Sequence, residues 1–177
     1  MTLQQRQFEV ELPIGYADGH GQFHRHAWLR KMRGHEEALL ADPAITPGKL
    51  VTELLSSCLT RLGDVEDPGT DVVSQLYSAD RNYLLVELRR ITLGDRLRES
   101  YLCPRCGVDV PVVEDLSAVE VRRLDAEERL EDIDVVLEDG YVDREGTLHN
   151  ELVMRLPRGS DEEFVSPMVE KDPLKAQ

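Results

Sequence analysis

Apolar and charged side chains alternate at the start of the chain. Every second residue from Phe8 to Leu12 is apolar, and glutamates fill the positions between them. A period of two residues is typical of a β-strand with one buried face. Glycines and an aspartate follow within residues 15–21, where they supply turn positions, and residues 23–29 then predict the return strand. The N-terminal segment is therefore predicted to form a β-hairpin.

The same pattern recurs near the other end of the chain. Residues 8–39 align without a gap to residues 133–164, and 11 of the 32 positions are identical, where ordinary residue usage would give roughly two. The identical pairs are Val10/Val135, Leu12/Leu137, Gly15/Gly140, Tyr16/Tyr141, Asp18/Asp143, Gly21/Gly146, His24/His149, Arg30/Arg155, Arg33/Arg158, Gly34/Gly159 and Glu37/Glu162. We interpret the shared turn residues as shaping the hairpin. The second hairpin is expected to pair with the first sheet or with a neighbouring subunit.

Helical periodicity dominates the segment between the two hairpins. Residues 35–42 predict a short helix, and Thr46 followed by Pro47 marks the start of a longer one that the apolar positions extend to Gly63. A further short helix is predicted over residues 72–77.

The last helix before the second repeat is predicted to begin at Asp80, which we interpret as its cap. Its apolar stripe consists of Leu84, Leu85, Leu88 and Ile91, and Gly94 ends it. Residues 101–113 then predict two short strands on either side of the turn Cys-Pro-Arg-Cys-Gly.

Together these elements predict an α+β protein. It consists of an N-terminal β-hairpin, a small helical bundle, a zinc-ribbon-like knuckle hairpin and the second copy of the β-hairpin. The expected boundaries are 1–116 for the hairpin, helices and knuckle, 117–132 for a charged linker or weak helix, 133–165 for the repeated hairpin and 166–177 for a flexible tail.

Charge and composition narrow the classes of partner. The 177 residues carry a net charge of −14 and only 5% aromatic residues, so Leu and Val must fill the core. An acidic surface disfavours nucleic acid and anionic membranes as partners, whereas a basic protein surface suits it. The alternative is that the charge only keeps the protein soluble. No stretch approaches the roughly 20 apolar residues that cross a bilayer, and the N-terminus lacks the apolar core of a signal peptide. A cytoplasmic protein is expected.

The sharpest chemical motif is the pair Cys103 and Cys106. Cys-x-x-Cys followed by glycine lets two thiolates converge on a metal, which makes these residues half of a tetrahedral zinc site. The candidates for further ligands are Cys58, His20, His24, His26, His35 and His149, although a cysteine on an apolar helix face is usually a small buried hydrophobe. The alternatives are a reduced pair without metal, a disulfide or redox pair, and a site completed across a dimer.

A second candidate is the pair His24 and His26, which share one face of the predicted return strand. Such a pair could bind a metal, and it would support a metal-dependent hydrolase. Only His24 recurs in the second copy, however, so a structural task in the turn is the better interpretation. The acidic clusters lack the spacing of a calcium loop, and the sequence has no phosphate-binding loop or nucleophile elbow. We therefore predict no enzymatic activity.

The recurring arginines at positions 30/155 and 33/158 admit two interpretations. One is a salt bridge within each unit that fixes the strand to the following helix. The other is a repeated contact patch for partner subunits. The first is favoured.

Several strings, taken in order, resemble a known family. They are residues 15–42, Leu54–Asp64 (LLSSCLTRLGD), residues 78–97 with the run DR-x-x-LL-x-x-LR-x-x-T-x-GD, and the CPRCG knuckle. In this order they resemble the small baseplate hub and tail-assembly chaperone proteins of contractile-tailed, T-even-like phages, and relatives in phage-tail-like contractile injection systems. The resemblance covers about Leu12–Leu116.

The resemblance implies a non-enzymatic structural or assembly role in a baseplate or spike hub. It marks Asp80, Arg81, the leucine stripe, Gly94, Asp95 and the two knuckle cysteines, and it transfers no catalytic residue. The implied partners are baseplate, hub, spike or tube subunits, with no nucleic acid, membrane or small-molecule substrate. The alternative is a free-standing zinc-ribbon-like adaptor that binds another protein.

Overall fold

A four-stranded antiparallel sheet forms the N-terminal part of the fold. Its strands are β1 (Phe8–Ala17), β2 (Phe23–Leu29), β3 (Leu59–Leu62) and β4 (Val65–Glu66), and they follow one another across the sheet in that order. The structure is a computed structural model and describes residues 6–125 and 132–171.

The described chain also contains five helices and two separate hairpins. The helices are α1 (Gly34–Leu40), α2 (Pro47–Cys58), α3 (Thr70–Gln75), α4 (Ser78–Leu93) and α5 (Gly159–Lys171). The hairpins are β5 (Arg96–Leu102) with β6 (Asp109–Asp115), and β7 (Ile133–Val142) with β8 (Leu148–Met154). The predicted α+β class with small sheets is confirmed. None of the described helices has the length and apolar character needed to cross a membrane.

The core lies between the inner face of the first sheet and helices α2, α3 and α4. Leucines supply most of it, as the low aromatic content predicts. Its fully buried members include Leu12, Leu29, Leu55, Leu62, Leu76 and Leu84. Helix α5 also packs on α2, α3 and α4, so the end of the described chain belongs to the same packed unit.

Helix α2 is shorter than the periodicity predicts. It ends at Cys58 rather than Gly63, and Leu59–Leu62 forms strand β3. The outer edge of β2 explains this difference, because it offers hydrogen bonds to an extended segment: the Arg30 amide donates to the Cys58 carbonyl at 2.9 Å and the Gly63 amide donates to the His26 carbonyl at 2.7 Å. Leu59 and Leu62 are both buried in this conformation. A backbone ladder therefore replaces the last helical turn.

Asp80 does not cap helix α4, contrary to the prediction. The cap position is Tyr77, and the helix begins at Ser78, so Asp80 lies within the first turn. Its carboxylate instead accepts hydrogen bonds from the backbone of β1. The predicted end of the helix at Gly94 is confirmed, with Gly94 at a φ of +92°.

The segment after β6 was predicted to be a charged linker or weak helix. It contains a single 3-10 turn at Leu116–Ala118 and then runs without regular structure as far as residue 125. The Leu124 amide donates to the Pro13 carbonyl at 2.9 Å, which places this segment beside β1. The remainder of the predicted linker, residues 126–131, lies outside the described residues.

The predicted flexible tail from residue 166 is wrong for its first part. Helix α5 continues to Lys171, and Ser166 is buried. The physical reason is packing against α2, where the Gly48 amide donates to Ser166 Oγ at 3.1 Å. Residues 172–177 lie outside the described chain.

Hairpins β1–β2 and β7–β8, the two copies of the sequence repeat, have equivalent strand registers. In β1–β2, Phe8 pairs with Leu29 and Tyr16 pairs with His24. In β7–β8, Ile133 pairs with Met154 and Tyr141 pairs with His149. Both hairpins have an irregularity at the same place, before that tyrosine. Hairpin β7–β8 does not join the first sheet in the described chain, so pairing between the two hairpins, one of the two expectations, is not found there.

Candidate functional site

The repeated histidine lies at the start of the return strand of each hairpin, beside the turn. His24 Nε2 is 3.1 Å from Asp18 Oδ2, and Asp18 Oδ1 accepts the backbone amides of His20 and Gln22 at 2.8 and 2.9 Å. The hydrogen bond from His24 is the largest cause of a lowered pKa at Asp18. This carboxylate therefore joins the histidine to the turn backbone.

The second hairpin contains the same arrangement. His149 Nε2 is 2.8 Å from Asp143 Oδ2, and Asp143 Oδ1 accepts the amides of Glu145 and Thr147. The His149 hydrogen bond is again the largest cause of the lowered Asp143 pKa. The sequence-based interpretation that this histidine shapes the turn agrees with the geometry of both copies.

His24 and His26 do not converge on a common metal position. His24 is buried against Asp18, whereas the exposed His26 directs Nδ1 to Glu9 Oε1 at 3.0 Å. Each imidazole thus has a carboxylate partner of its own. The pair offers no support for a metal-dependent hydrolase.

Asp80 links helix α4 to the irregular part of β1. The carboxylate is fully buried, and its two oxygens accept the amides of Ile14 and Gly15 at 2.8 and 2.9 Å. Burial raises the Asp80 pKa to about 6, against the opposing effect of these two hydrogen bonds. Both oxygens accept hydrogen bonds from main-chain amides, so this carboxylate joins helix α4 to strand β1.

Arg81, the next residue, connects four parts of the chain. Its guanidinium is fully buried and donates to Glu162 Oε2 at 3.0 Å, Thr52 Oγ1 at 2.9 Å, and the carbonyls of Val73 and Gly48 at 3.1 and 3.3 Å. Glu162 belongs to α5, which follows the second hairpin. A buried cation requires a charged partner. Helix α5 supplies that partner and is therefore part of the core.

A second ion cluster fixes the first hairpin to helix α1. Arg30 donates twice to the buried Glu36 carboxylate, at 2.7 and 3.2 Å, and Glu36 also accepts the Arg33 amide at 2.7 Å and the Ser57 hydroxyl. The Arg30 hydrogen bonds are the largest cause of the Glu36 pKa falling to about 2. Within this hairpin unit, the favoured interpretation of the repeated arginine as an internal salt bridge is confirmed.

The second unit repeats this bridge on the surface. Arg155 donates to both oxygens of Asp161 at 2.7 and 2.8 Å, and the Arg158 amide donates to the same carboxylate at 2.8 Å. The acidic partner is thus the residue equivalent to Glu36, not one of the identical pair Glu37/Glu162. Glu37 and Glu162 are identical in the alignment but have different environments. Glu162 bonds to the buried Arg81 guanidinium of α4, and Glu37 does not.

Cys103 and Cys106 lie in the turn between β5 and β6. The amides of Arg105 and Cys106 donate to the Cys103 sulfur, and these two hydrogen bonds are the largest causes of a lowered Cys103 pKa. The Gly107 amide, at a φ of +69°, donates to the Cys103 carbonyl at 2.8 Å. Such a turn prepares a thiolate to bind a soft metal.

The two cysteines of the knuckle have no third candidate ligand beside them within the described residues. No group of three or more His, Cys, Asp or Glu side chains in residues 6–125 and 132–171 could hold a metal ion. The candidate third cysteine, Cys58, is fully buried in the core, and burial raises its pKa to about 11. Its prediction as a small buried hydrophobe is confirmed, and a zinc site at Cys103 and Cys106 stays a prediction.

Hairpin β7–β8 leaves much of its surface exposed. Its apolar side chains are exposed where their equivalents in the first hairpin are buried: Met154 is 53% exposed, whereas Leu29 is 0% exposed. Val136 and Val153, on the two strands, are 72% and 65% exposed. Sequence reasoning located this hairpin but not its exposure.

Comparison with known proteins identifies the family. No curated protein and no solved structure matches the chain significantly. The sequence model described as T4 bacteriophage base plate protein matches residues 30–172, which is about four fifths of the chain. The match begins after the first hairpin and includes the knuckle, the second hairpin and α5, so it extends beyond the Leu12–Leu116 range that the sequence strings covered. The chain therefore belongs to the T4 bacteriophage base plate protein family.

Proposed function

We propose that this chain is a non-enzymatic structural or assembly protein of the baseplate or spike hub of a contractile phage tail or phage-tail-like injection system. The observation that carries the proposal is the exposed apolar surface of β7–β8 on a member of the base plate family. Apolar side chains on both strands of one small hairpin are typical of a surface that another protein covers.

The polar groups that could have supported catalysis serve the fold instead. Asp80, Arg81, Glu36 and His24 are all buried, and each is bonded to backbone or to an opposite charge in the described chain. The family and this use of the polar residues together support a binding role. The proposed partners are hub, spike or tube subunits, which the chain binds in the cytoplasm during assembly. The chain either stays with them in the finished particle or acts as their assembly chaperone.

Co-expression tests the proposal. The full chain is produced with each tube, spike and hub subunit encoded with it, and complexes are isolated by affinity and size-exclusion chromatography. The control is an unrelated acidic protein of equal size and net charge, which separates specific binding from charge attraction. We expect co-elution of the chain, but not of the control, with at least one subunit. Co-elution with none of them would refute the proposal.

The knuckle supports a second candidate, a zinc-ribbon-like adaptor. The observation in its favour is the pair of amides that donate to the Cys103 sulfur in an exposed turn. Elemental analysis of the purified protein, with Cys103→Ser and Cys106→Ser as controls, distinguishes the candidates. Stoichiometric zinc whose removal unfolds the protein would favour the adaptor.

A further inference from the structure

The first hairpin shows how this structural unit is completed when it is covered. Strand β3 pairs with the outer edge of β2, where the Arg30 amide donates to the Cys58 carbonyl and the His26 carbonyl accepts the Gly63 amide. Helix α4 packs on β1 from the inner side. As a result Leu12, Ala27 and Leu29 are all fully buried.

The second hairpin has the same register but lacks its third strand. Its sheet consists of β7 and β8 alone in the described chain, so the outer edge of β8 pairs with nothing there. The residues equivalent to His26 and Arg30 are Glu151 and Arg155, by the same 125-residue offset that relates the two registers. Because backbone groups of every second residue point to the same edge of a strand, Val153 also directs its amide outward.

We propose that a β-strand of another tail subunit adds antiparallel to β8. It bonds to the Glu151 carbonyl and to the amides of Val153 and Arg155, as β3 does in the first hairpin. Its apolar side chains cover Met154 on the inner face, and those of the opposite face contact Val153. Strand addition to an exposed edge is a common mode of protein recognition, and an exposed apolar edge strand is otherwise a liability for aggregation.

Charge identifies the partner as a different protein. Residues 133–156 contain six acidic and two basic side chains, a net charge of −4. A second copy would bring the same acidic hairpin to this edge, and like charges on adjacent strands repel. The strand that fits carries a lysine or arginine opposite Glu151, on the face whose apolar side chain contacts Val153. This inference rests on the proposed function for the class of partner.

The test uses the full chain and the tail subunit with which the wild-type protein co-elutes. Val153→Pro removes the outward amide and places a ring at the edge, where proline is compatible with a strand in the free protein. Val153→Thr is the matched control, because it keeps the amide and the branched side chain. We expect Val153→Pro to weaken the Kd at least tenfold, while Val153→Thr binds within about threefold of wild type.

Equal binding by Val153→Pro and wild type would overturn the inference while leaving the proposed function intact. Failure of the wild-type chain to bind any subunit would instead refute the proposed function. A second measurement does not depend on the variant folding: amide hydrogen exchange of residues 151–155 is expected to slow when the wild-type chain binds the subunit, and unchanged exchange would contradict strand addition. Self-association of the wild-type chain that Val153→Pro abolishes would assign the edge to a second copy and overturn the choice of partner.

Discussion

Glu162→Gln tests whether α5 is part of the core. The Arg81 guanidinium is fully buried, and Glu162 is its one charged partner in the described chain; the other three acceptors are the Thr52 hydroxyl and two carbonyls. The substitution keeps the size of the side chain and removes its charge, which leaves a buried cation unneutralised. Removing one member of a buried pair costs about 3–5 kcal/mol. Glu162 is 30% exposed, so water can replace part of the interaction, and we expect about 3 kcal/mol.

Urea unfolding at pH 7, followed by circular dichroism and by the fluorescence of the single Trp28, measures this cost. Trp28 lies in the first sheet and stacks on Arg61, whose guanidinium carbon is 3.4 Å from the ring centroid. It therefore reports on the part of the fold that is distant in sequence from α5. The two signals should shift together to lower urea, because α5 and the sheet share one core.

Asp161→Asn is the matched control, since the neighbouring Asp161 belongs to an exposed pair with Arg155. We expect it to change the free energy of unfolding far less, because an exposed ion pair contributes little. If Glu162→Gln and Asp161→Asn have the same small effect, Arg81 does not depend on α5 and the reasoning fails. A fluorescence transition that stays at the wild-type midpoint while the circular dichroism transition moves would likewise show that α5 unfolds separately.

Three further predictions address other parts of the structure. Gly159→Ala should destabilise the protein by about 2 kcal/mol or more, because the added Cβ would overlap the buried Arg81 guanidinium. The equivalent Gly34→Ala has open space and should be nearly neutral in the same urea assay. The wild-type protein should lose stability as the pH falls from about 4.5 towards 2, because the depressed pKa of Glu36 contributes stability that is present above the unfolded pKa and disappears on protonation. Glu36→Gln should be less stable at pH 7, and its free energy of unfolding should depend less on pH between about 4.5 and 2. Parallel curves of unfolding free energy against pH for the two proteins would be evidence against this role of Glu36. Replacing both Cys103 and Cys106 by serine should leave the melting temperature of the core within experimental error, since their turn is exposed and distant from the core; unfolding of the core after loss of stoichiometric zinc would contradict this.

Local periodicity predicted most of the elements, because their apolar residues recur every second position in a strand or every three to four positions in a helix. The strand from Phe8, the helix after Pro47 and the helix that ends at Gly94 are all of this kind. The sequence could not show that Leu59–Leu62 leaves the helix, because the competing hydrogen bonds come from β2, about 30 residues earlier in the chain. Tertiary contacts overrode a local preference at that point.

The buried polar residues were the hardest to assign. Asp80 precedes an apolar stripe, so a helix cap was the natural local interpretation, and its true acceptor role depends on β1 amides 65 and 66 residues away. Glu162 recurs with Glu37 in the alignment, yet only the former has a buried cation within reach. The histidine beside each turn was easier to interpret, because its aspartate partner lies six residues away and recurs with it.

Quantitative mass spectrometry of purified tail particles and of their assembly intermediates tests the central claim most directly. A baseplate or assembly protein should appear in at least one of these fractions at a fixed ratio to a hub, spike or tube subunit. Its presence in finished particles would indicate a structural component, and its restriction to intermediates would indicate a chaperone. Absence from both fractions, in cells that produce the chain, would contradict the account.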